Sequence, residues 1–329
     1  MRIAVVGVWH VHADEYVEEL LEERGVEVIG VFDEDRARAA AFASRHGLPV
    51  IDAFAETLGS GVDAILVCAE TTAHARIITA ALQADKHVFT EKVLTPDLDS
   101  ALALERLAAE RQRVLLVSLQ RLAEPWLYSM LDVIRSGVIG TVTATRLRYQ
   151  HGGVVEGWLP DGFLDPGEAA GGSVIDLGAH GYYLSLMLHG SFPASISASA
   201  QAYSGHAVED HSVVVLSYPD GAVSTLETSL VAGPYARWCE VYGTKGFAVV
   251  DSRDDLVSVR TEGTGWVARE NGPRRATPIR RFLDAVAAGR ADTDNVRAAL
   301  RLTGLVEATY RALADRRAVG TEDPARDAG

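Results

Sequence analysis

RIAVVGVWHVHADEYVEELLEERG, residues 2–25, joins a short apolar run to an amphipathic segment through a glycine. The run RIAVV reads as a buried strand. In the segment that follows, Tyr16, Val17, Leu20 and Leu21 fall on one helical stripe, and Gly25 suits the left-handed position past a helix end. Strand, tight turn and helix in this order form a unit that holds a pyrophosphate, because the helix start offers backbone N–H groups and the positive end of its dipole. The pattern G-x-G-x-x-G would put glycines at positions 7, 9 and 12; Gly7 is present, but Trp9 and His12 fill the other two places. Trp9 can serve there if its ring swings aside and its N–H stays presented, with the ring toward the nicotinamide or substrate side. His10 and His12, at the same helix start, are expected to assist cofactor or substrate binding. A ligand-free α/β turn is the plainer reading of the same residues. A His10–His12 metal site is disfavoured because no acidic or cysteine partner has suitable spacing nearby, so no metal is expected.

Working outward, strands and helices alternate to about residue 120: VEVIGVF, DAILVC, HVFT and RVLLVSL read as strands, with RARAAAFASRHG, AHARIITAALQA and TPDLDSALALERLAAERQ as helices. The last of these helices is expected to open with Thr95 as N-cap and Pro96 at its first position. HVFT is counted as the fifth strand and RVLLVSL as the sixth. Apolar strands alternating with amphipathic helices imply an α/β fold with a doubly wound parallel sheet, a Rossmann domain. The second half changes character. After a helix in EPWLYSMLDVIRSG and a strand in TVTATRLRYQ, residues 151–172 are rich in Gly and Pro and are expected to be a loop. SVIDLGAHGYYLSLML reads as a helix, and six short strands then imply a large, mainly antiparallel open sheet in an α+β domain. The expected boundaries are 1–121 for the Rossmann domain and 122–329 for the substrate-binding and oligomerisation domain, with the closing helices packing back on the first. The tail GTEDPARDAG reads as a frayed end.

Composition narrows the partners. The chain has 329 residues, 48% hydrophobic and 23% charged, with a formal net charge of -14. That acidity argues against nucleic acid and anionic membranes, which need a basic face. No apolar run approaches the ~20 residues of a membrane span. The two cysteines, Cys68 and Cys239, form no disulfide framework or zinc spacing, which fits a reducing cytoplasm.

Three further groups carry chemistry. Asp33 ends the second strand, where a carboxylate accepts hydrogen bonds from ribose hydroxyls and repels a 2′-phosphate; Arg38 nearby could reach such a phosphate. Glu91 and Lys92 follow the strand HVFT, at the carboxyl edge where ligands bind, and a lysine there can hold a substrate oxygen or the nicotinamide ribose. Asp176 and His180 are four apart, which puts both on one helical face; a histidine can take a hydroxyl proton and a carboxylate can orient it. Taken alone, Asp33 is equally an ordinary loop acid or cap, whereas a solvated Glu91–Lys92 pair, and a capping Asp176 with a core His180, are the plainer readings.

Taken together, VVGVWHVH, TTAHARIITAALQADKHVFTEKV, LQRLAEPWLYSMLDVIRSGVIGTV, GGSVIDLGAHGYYL and CEVYGTKGFAVV resemble the glucose–fructose oxidoreductase / inositol dehydrogenase / MocA family over essentially the whole chain. The resemblance implies an NAD-dependent dehydrogenase acting on a secondary alcohol of a sugar, cyclitol or similar polyol, with NADP less favoured. It implies Lys92, Asp176 and His180 around the reacting carbon, and cofactor contacts from Gly7, Asp33, Thr71, His74 and Glu91. Gln120 and Arg121 are implied to border the sugar pocket; Tyr149, His151, Trp158 and Tyr183 are further candidates to line it. Departures from the family pattern are Trp9, His12, Val93 in place of a proline, and Leu184 in place of an acidic residue. A non-catalytic binding or regulatory protein of the same fold is the alternative, as is a family enzyme that never releases its cofactor. A homodimer or homotetramer is expected, because a sheet with helices on one face leaves an apolar face to cover.

Overall fold

The computed structural model describes residues 1–325 of the chain. It divides into two compact units, one of Met1–Leu119 with Ala276–Thr303 and one of Gln120–Arg275 with the residues from Gly304 onward.

In the first unit, β1 (Arg2–Val8), α1 (Ala13–Glu22), β2 (Glu27–Phe32), α2 (Arg36–His46), β3 (Ala64–Cys68), α3 (His74–Gln83), β4 (His87–Thr90), α4 (Leu98–Glu110) and β5 (Leu115–Val117) alternate. The five strands lie in the order β2-β1-β3-β4-β5, and every recorded pairing is parallel. Beyond β2, a single parallel bridge joins Val31 to Val50. The sheet thus has five strands with HVFT as the fourth, not the fifth of six counted from the sequence. The strands are buried on both faces, as their continuous apolar runs require. Tyr16, Val17 and Leu20 of α1 pack into the core with Phe42 and Phe89.

α4 departs from its expected start. Its N-cap is Asp97, whose carboxylate accepts from the N–H of Ser100, while the Thr95 hydroxyl donates to the Asp97 carbonyl. A carboxylate accepts more strongly than a hydroxyl, so the cap shifts by two residues.

The second unit begins with a 3₁₀ turn at Gln120–Ala123, α5 (Pro125–Arg135) and β6 (Val142–Gln150). Residues 151–172 are not the plain loop expected: α6 (Gly153–Glu156), a 3₁₀ turn (Asp161–Leu164) and α7 (Pro166–Ala169) occupy them. Their local caps account for this, since Asp165 accepts from the Gly167 N–H and Pro166 starts α7. α8 (Gly178–His189) is followed by β7 (Ser195–Gln201), β8 (His211–Ser217), β9 (Val223–Ser229), β10 (Ala236–Gly243), β11 (Gly246–Asp251), β12 (Val257–Thr261) and β13 (Val267–Arg269). α9 (Pro278–Ala287) belongs to the first unit, where Phe282 meets Phe89 edge-on at 5.8 Å between ring centroids. α10 (Thr293–Asp315) starts in the first unit, and Asn295 bonds both the N–H and the carbonyl of Val117 at 2.8 Å, capping the edge strand β5. β14 (Val319–Gly320) pairs with β7. The expected frayed tail is therefore held at its start, where the Thr321 N–H also bonds the Ala194 carbonyl. Residues 326–329 of that expectation lie outside the described residues.

The second sheet has nine strands in the order β13-β12-β11-β10-β6-β9-β8-β7-β14, antiparallel except where β6 meets β9. α8 and α5 cover one face. The other is not the apolar face expected: Arg146 pairs with Glu240 and Arg148 with Glu227, and the Arg148 guanidinium lies over the Trp238 ring. The alternation of the strands leaves charges at the outward positions of β6, β9 and β10, with Val213, Val215 and Phe247 half-buried on flanking strands.

Candidate functional site

In the first unit the turn after β1 is built as its sequence demands at one position. Gly7 has φ +75°, and a Cβ there would stand 2.4 Å from the Ala69 Cα. Trp9 is accommodated differently from expectation. Its N–H and that of His10 both donate to the Cys68 carbonyl at 3.0 Å, so Trp9 presents no N–H to a phosphate. Its ring is buried. The chain thus stays tied to β3 for longer than in a turn that opens at a second glycine. Val11, which is exposed, is the loop residue whose N–H has no partner among the described residues.

His10, His12 and Glu91 meet at this turn, although about 80 residues separate the histidines from the acid. An acidic partner therefore exists, contrary to the expectation from local spacing. Glu91 is buried. Its carboxylate accepts from the His12 ring at 2.9 Å, from the Tyr16 hydroxyl and from the Lys92 N–H at 2.8 Å, and the His10 Nε2 lies 3.8 Å away. Burial opposes the charge, but His10, His12 and Lys92 hold this carboxyl well below the usual carboxylate range. The three ligand atoms lie within 4.8 Å of one another, close enough for a metal ion. Their hydrogen bonds fit a metal poorly. The His12 N–H donates to His10 Nδ1, so a neutral His10 carries its proton on Nε2, and His12 Nδ1 must donate to reach an ionised carboxylate. Metal ligation needs both nitrogens bare. The group is a carboxylate held by donors.

Asp33 ends β2 buried, with all its acceptor directions in use. Oδ2 accepts from the Val8 N–H and Arg38 Nε, and Oδ1 from the Asp35 N–H and Arg38 Nη2, at 2.8–2.9 Å. Arg38 also donates to Glu70 at 2.5 Å. Beside these residues lies a shallow depression lined by Gly7, Phe32, Asp33, Phe54, Ala69 and Arg76. The Gly7 cradle fits the close backbone approach of a dinucleotide, whereas the Asp33 acceptor directions that ribose hydroxyls would use are taken by Val8, Asp35 and Arg38. Thr71 is buried in the turn before α3. His74 faces inward: Nδ1 meets the Val93 carbonyl at 3.0 Å and Nε2 the Ala69 carbonyl at 3.2 Å. Burial pushes its pKa down, and a neutral ring, with a single N–H, donates to only one of these two carbonyls. Lys92 is buried, and the Lys92–Val93 peptide is cis.

In the second unit His180 is buried on α8, and its Nδ1 lies 2.8 Å from the Tyr183 hydroxyl, which also accepts from the Arg121 N–H at 3.2 Å. Asp176 is not on the same helix. α8 starts at Gly178, and Asp176 lies in the turns before it, so the expected i,i+4 face does not exist. The glycines upstream are closely packed. A Cβ on Gly172 would stand 1.9 Å from the Glu209 carbonyl oxygen and one on Gly171 1.9 Å from the Tyr310 hydroxyl. Glu209 accepts from the N–H groups of Gly172 and Val174 and from Tyr310.

The proposed pocket residues divide. Tyr149 is buried with its ring 5.6 Å from His180, and Arg121 pairs with Glu124. His151 is buried and accepts from the Gly153 N–H, whereas Trp158 is half exposed and donates to Glu156. Gln120 is partly buried in the 3₁₀ turn. Two contributors escaped sequence reading. Tyr16 reads as a core residue on an apolar stripe, yet its hydroxyl serves Glu91. Arg237 is buried at an inward position of β10, a signal present in the alternation of RWCEVYG.

Comparison with known proteins agrees with both units. Residues 1–119 match the model described as an oxidoreductase family with an NAD-binding Rossmann fold, and residues 129–249 match the GFO/IDH/MocA C-terminal domain. The UDP-N-acetylglucosamine 3-dehydrogenase of Acidithiobacillus ferrooxidans is 28% identical, covering 88% of this chain and 90% of its own. The inositol 2-dehydrogenase of Rhizobium meliloti is 23% identical, covering 89% and 91%. The crystal structure of GenD2 from gentamicin A biosynthesis, in complex with NAD, superposes with a TM-score of 0.84 at 26% identity over 98% of this chain and 96% of that one. With the two domain matches spanning most of its length, the chain belongs to the GFO/IDH/MocA family of oxidoreductases and carries that family's NAD-binding Rossmann domain.

Proposed function

We propose that this enzyme oxidises a secondary alcohol of a sugar, cyclitol or similar polyol to a ketone, with NAD as the oxidant. The observation that carries this reading is the presence, in the first unit, of buried Lys92 after β4 and, in the second, of buried His180 with its Nδ1 fixed by Tyr183. Dehydrogenases of a nucleotide sugar and of inositol among the relatives support the substrate class. Bound NAD supplies the acceptor for the hydride that leaves the carbinol carbon. His180 takes the hydroxyl proton as general base. Tyr183 orients its ring through Nδ1, and Asp176, four residues earlier in the chain, is assigned to balance the positive charge that develops. Lys92 holds the reacting oxygen, stabilising it as its O–H bond breaks. The proton and the hydride together account for the two hydrogens lost by the alcohol. Glu91 keeps the Lys92 backbone in place through its hydrogen bond to the Lys92 N–H.

Two buried free thiols support a cytoplasmic enzyme; among the described residues no helix is long and apolar enough to cross a membrane. Pairing of a second copy through the outer face of the large sheet is proposed for the oligomer.

A screen of sugars and cyclitols for NADH absorbance, followed by Lys92→Ala and His180→Ala on the substrate found, tests the reading. Each variant is expected to lose about two or more orders of magnitude in kcat while binding NAD with near-normal affinity. A His180→Ala enzyme with near-normal kcat would overturn the assignment of the base.

A further inference from the structure

The covered face of the large sheet holds more hydrogen-bond donors than acceptors at one end. Tyr149 of β6 and Arg237 of β10 are cross-strand partners. Both are almost wholly buried, at 1% and 3% exposure. The Tyr149 hydroxyl and the Arg237 Nη1 have no hydrogen-bond partner, and neither have the Arg121 Nε and the Trp126 Nε1. These four groups share one neighbourhood. The Arg237 guanidinium lies 4.6 Å from the centroid of Trp126, and the charges of both Arg121 and Arg237 act on the Tyr149 hydroxyl. Tyr149 in turn is 5.6 Å, ring to ring, from His180.

Buried donors without acceptors are rare, because each loses its hydration with nothing in return. Each arginine already has one acidic partner, Glu124 for Arg121 and Asp255 for Arg237, and keeps another N–H unused. A phenol, an indole and two guanidinium edges together lack an acceptor-only group. Neutral sugar hydroxyls satisfy such a set poorly, since each brings a donor that needs its own acceptor. A carboxylate brings two oxygens, about four acceptor directions and a charge that guanidinium favours.

We propose that Tyr149, Arg237, Arg121 and Trp126 form a carboxylate-recognition subsite, so that the substrate is an acidic sugar or cyclitol of the uronic or aldonic acid class. This inference rests on the proposed polyol oxidation for the reacting end of the molecule. The carboxylate would lie about one side chain away from His180, on the same substrate as the oxidised hydroxyl.

The test is calorimetry on the NAD-loaded enzyme with a panel of hexuronates and aldonates, their neutral parent sugars, their uncharged amides and the sugar phosphates. At least one acid is expected to bind about tenfold or more tightly than its own amide. Arg237→Met is expected to remove that preference while leaving neutral sugars within about threefold. Because Arg237 also stacks on Trp126, Tyr149→Phe provides a milder variant. It is expected to weaken acid binding severalfold while raising the melting temperature of the ligand-free protein, since it removes an unsatisfied hydroxyl. Equal binding of every acid and its amide, or a preference for phosphates, overturns the subsite. NADH formation from a neutral polyol in that case leaves the proposed oxidation standing. Tight acid binding without NADH from any member overturns the oxidation and leaves the subsite.

Discussion

Arg38 shows how one side chain shifts a specificity that a motif suggests. A lone carboxylate at the end of β2 would select NAD by repelling a 2′-phosphate. Here Asp33, Glu70 and Arg38 form one cluster in which a guanidinium offsets one of two carboxylates. Arg38 also occupies two of the acceptor directions that ribose hydroxyls would use. Arg38→Ala is therefore expected to sharpen the choice of NAD over NADP by about tenfold, equivalent to ~1.4 kcal/mol, chiefly by weakening NADP. Titration of both cofactors against both proteins measures it. A collapse of NAD binding in the variant would show instead that Arg38 itself contacts the cofactor.

Helix α8 couples the proposed base to a buried polar seam. At its start it carries His180; along its length Ser185 bonds both Tyr218 and Ser224, and Ser224 bonds Thr145. At its end His189 bonds Thr145 and stacks on Tyr218 with 3.9 Å between ring centroids. Burial pushes the His189 pKa down to about 4, against the slight opposing pull of Asp220. The unfolded chain, with an ordinary histidine, therefore binds more protons than the folded one between about pH 6.5 and 4. The stability due to neutral His189 is complete above about pH 6.5 and is lost as pH falls toward 4. The loss amounts to about 2 kcal/mol after allowance for the ring's partial exposure. Denaturant melts at a series of pH values are expected to show His189→Gln less stable at pH 7 but flatter in acid. Equal slopes for both proteins would show that His189 titrates normally.

For the whole molecule, the outer face of the large sheet is the surface proposed for association. Its Arg146–Glu240 and Arg148–Glu227 pairs lie in adjacent strands, with half-buried Val213, Val215 and Phe247 to either side. A self-pairing face of this mixed kind needs its charges in register with those of the second copy. Light scattering at micromolar concentration is expected to show a dimer or tetramer. Glu227→Arg with Glu240→Arg is expected to shift the protein toward monomer, because four arginines then crowd one face. A wild-type monomer would contradict the assembly.

The alternation of apolar strands with amphipathic helices was enough to determine the Rossmann domain, since both signals are local periodicities. Six of the later strands and the mainly antiparallel character of the second sheet followed from period-two patterns in the same way. The positions of Gly7, Asp33 and Lys92 at strand ends were legible because a strand end is marked by where an apolar run stops. Tertiary structure alone decided what those residues meet. Glu91 joins His10 and His12 only because β1 and β4 lie in one sheet. Trp9 turns its N–H to Cys68 because β3 lies beside β1. Asp176 lies before the helix of His180, in turns that follow two glycines packed against Glu209 and Tyr310. The unpaired donors around Tyr149 are adjacent because β6 and β10 pair across nearly a hundred residues of chain. Hydrogen bonds reach only a few ångströms, so distant segments share them only once packing has brought the two together.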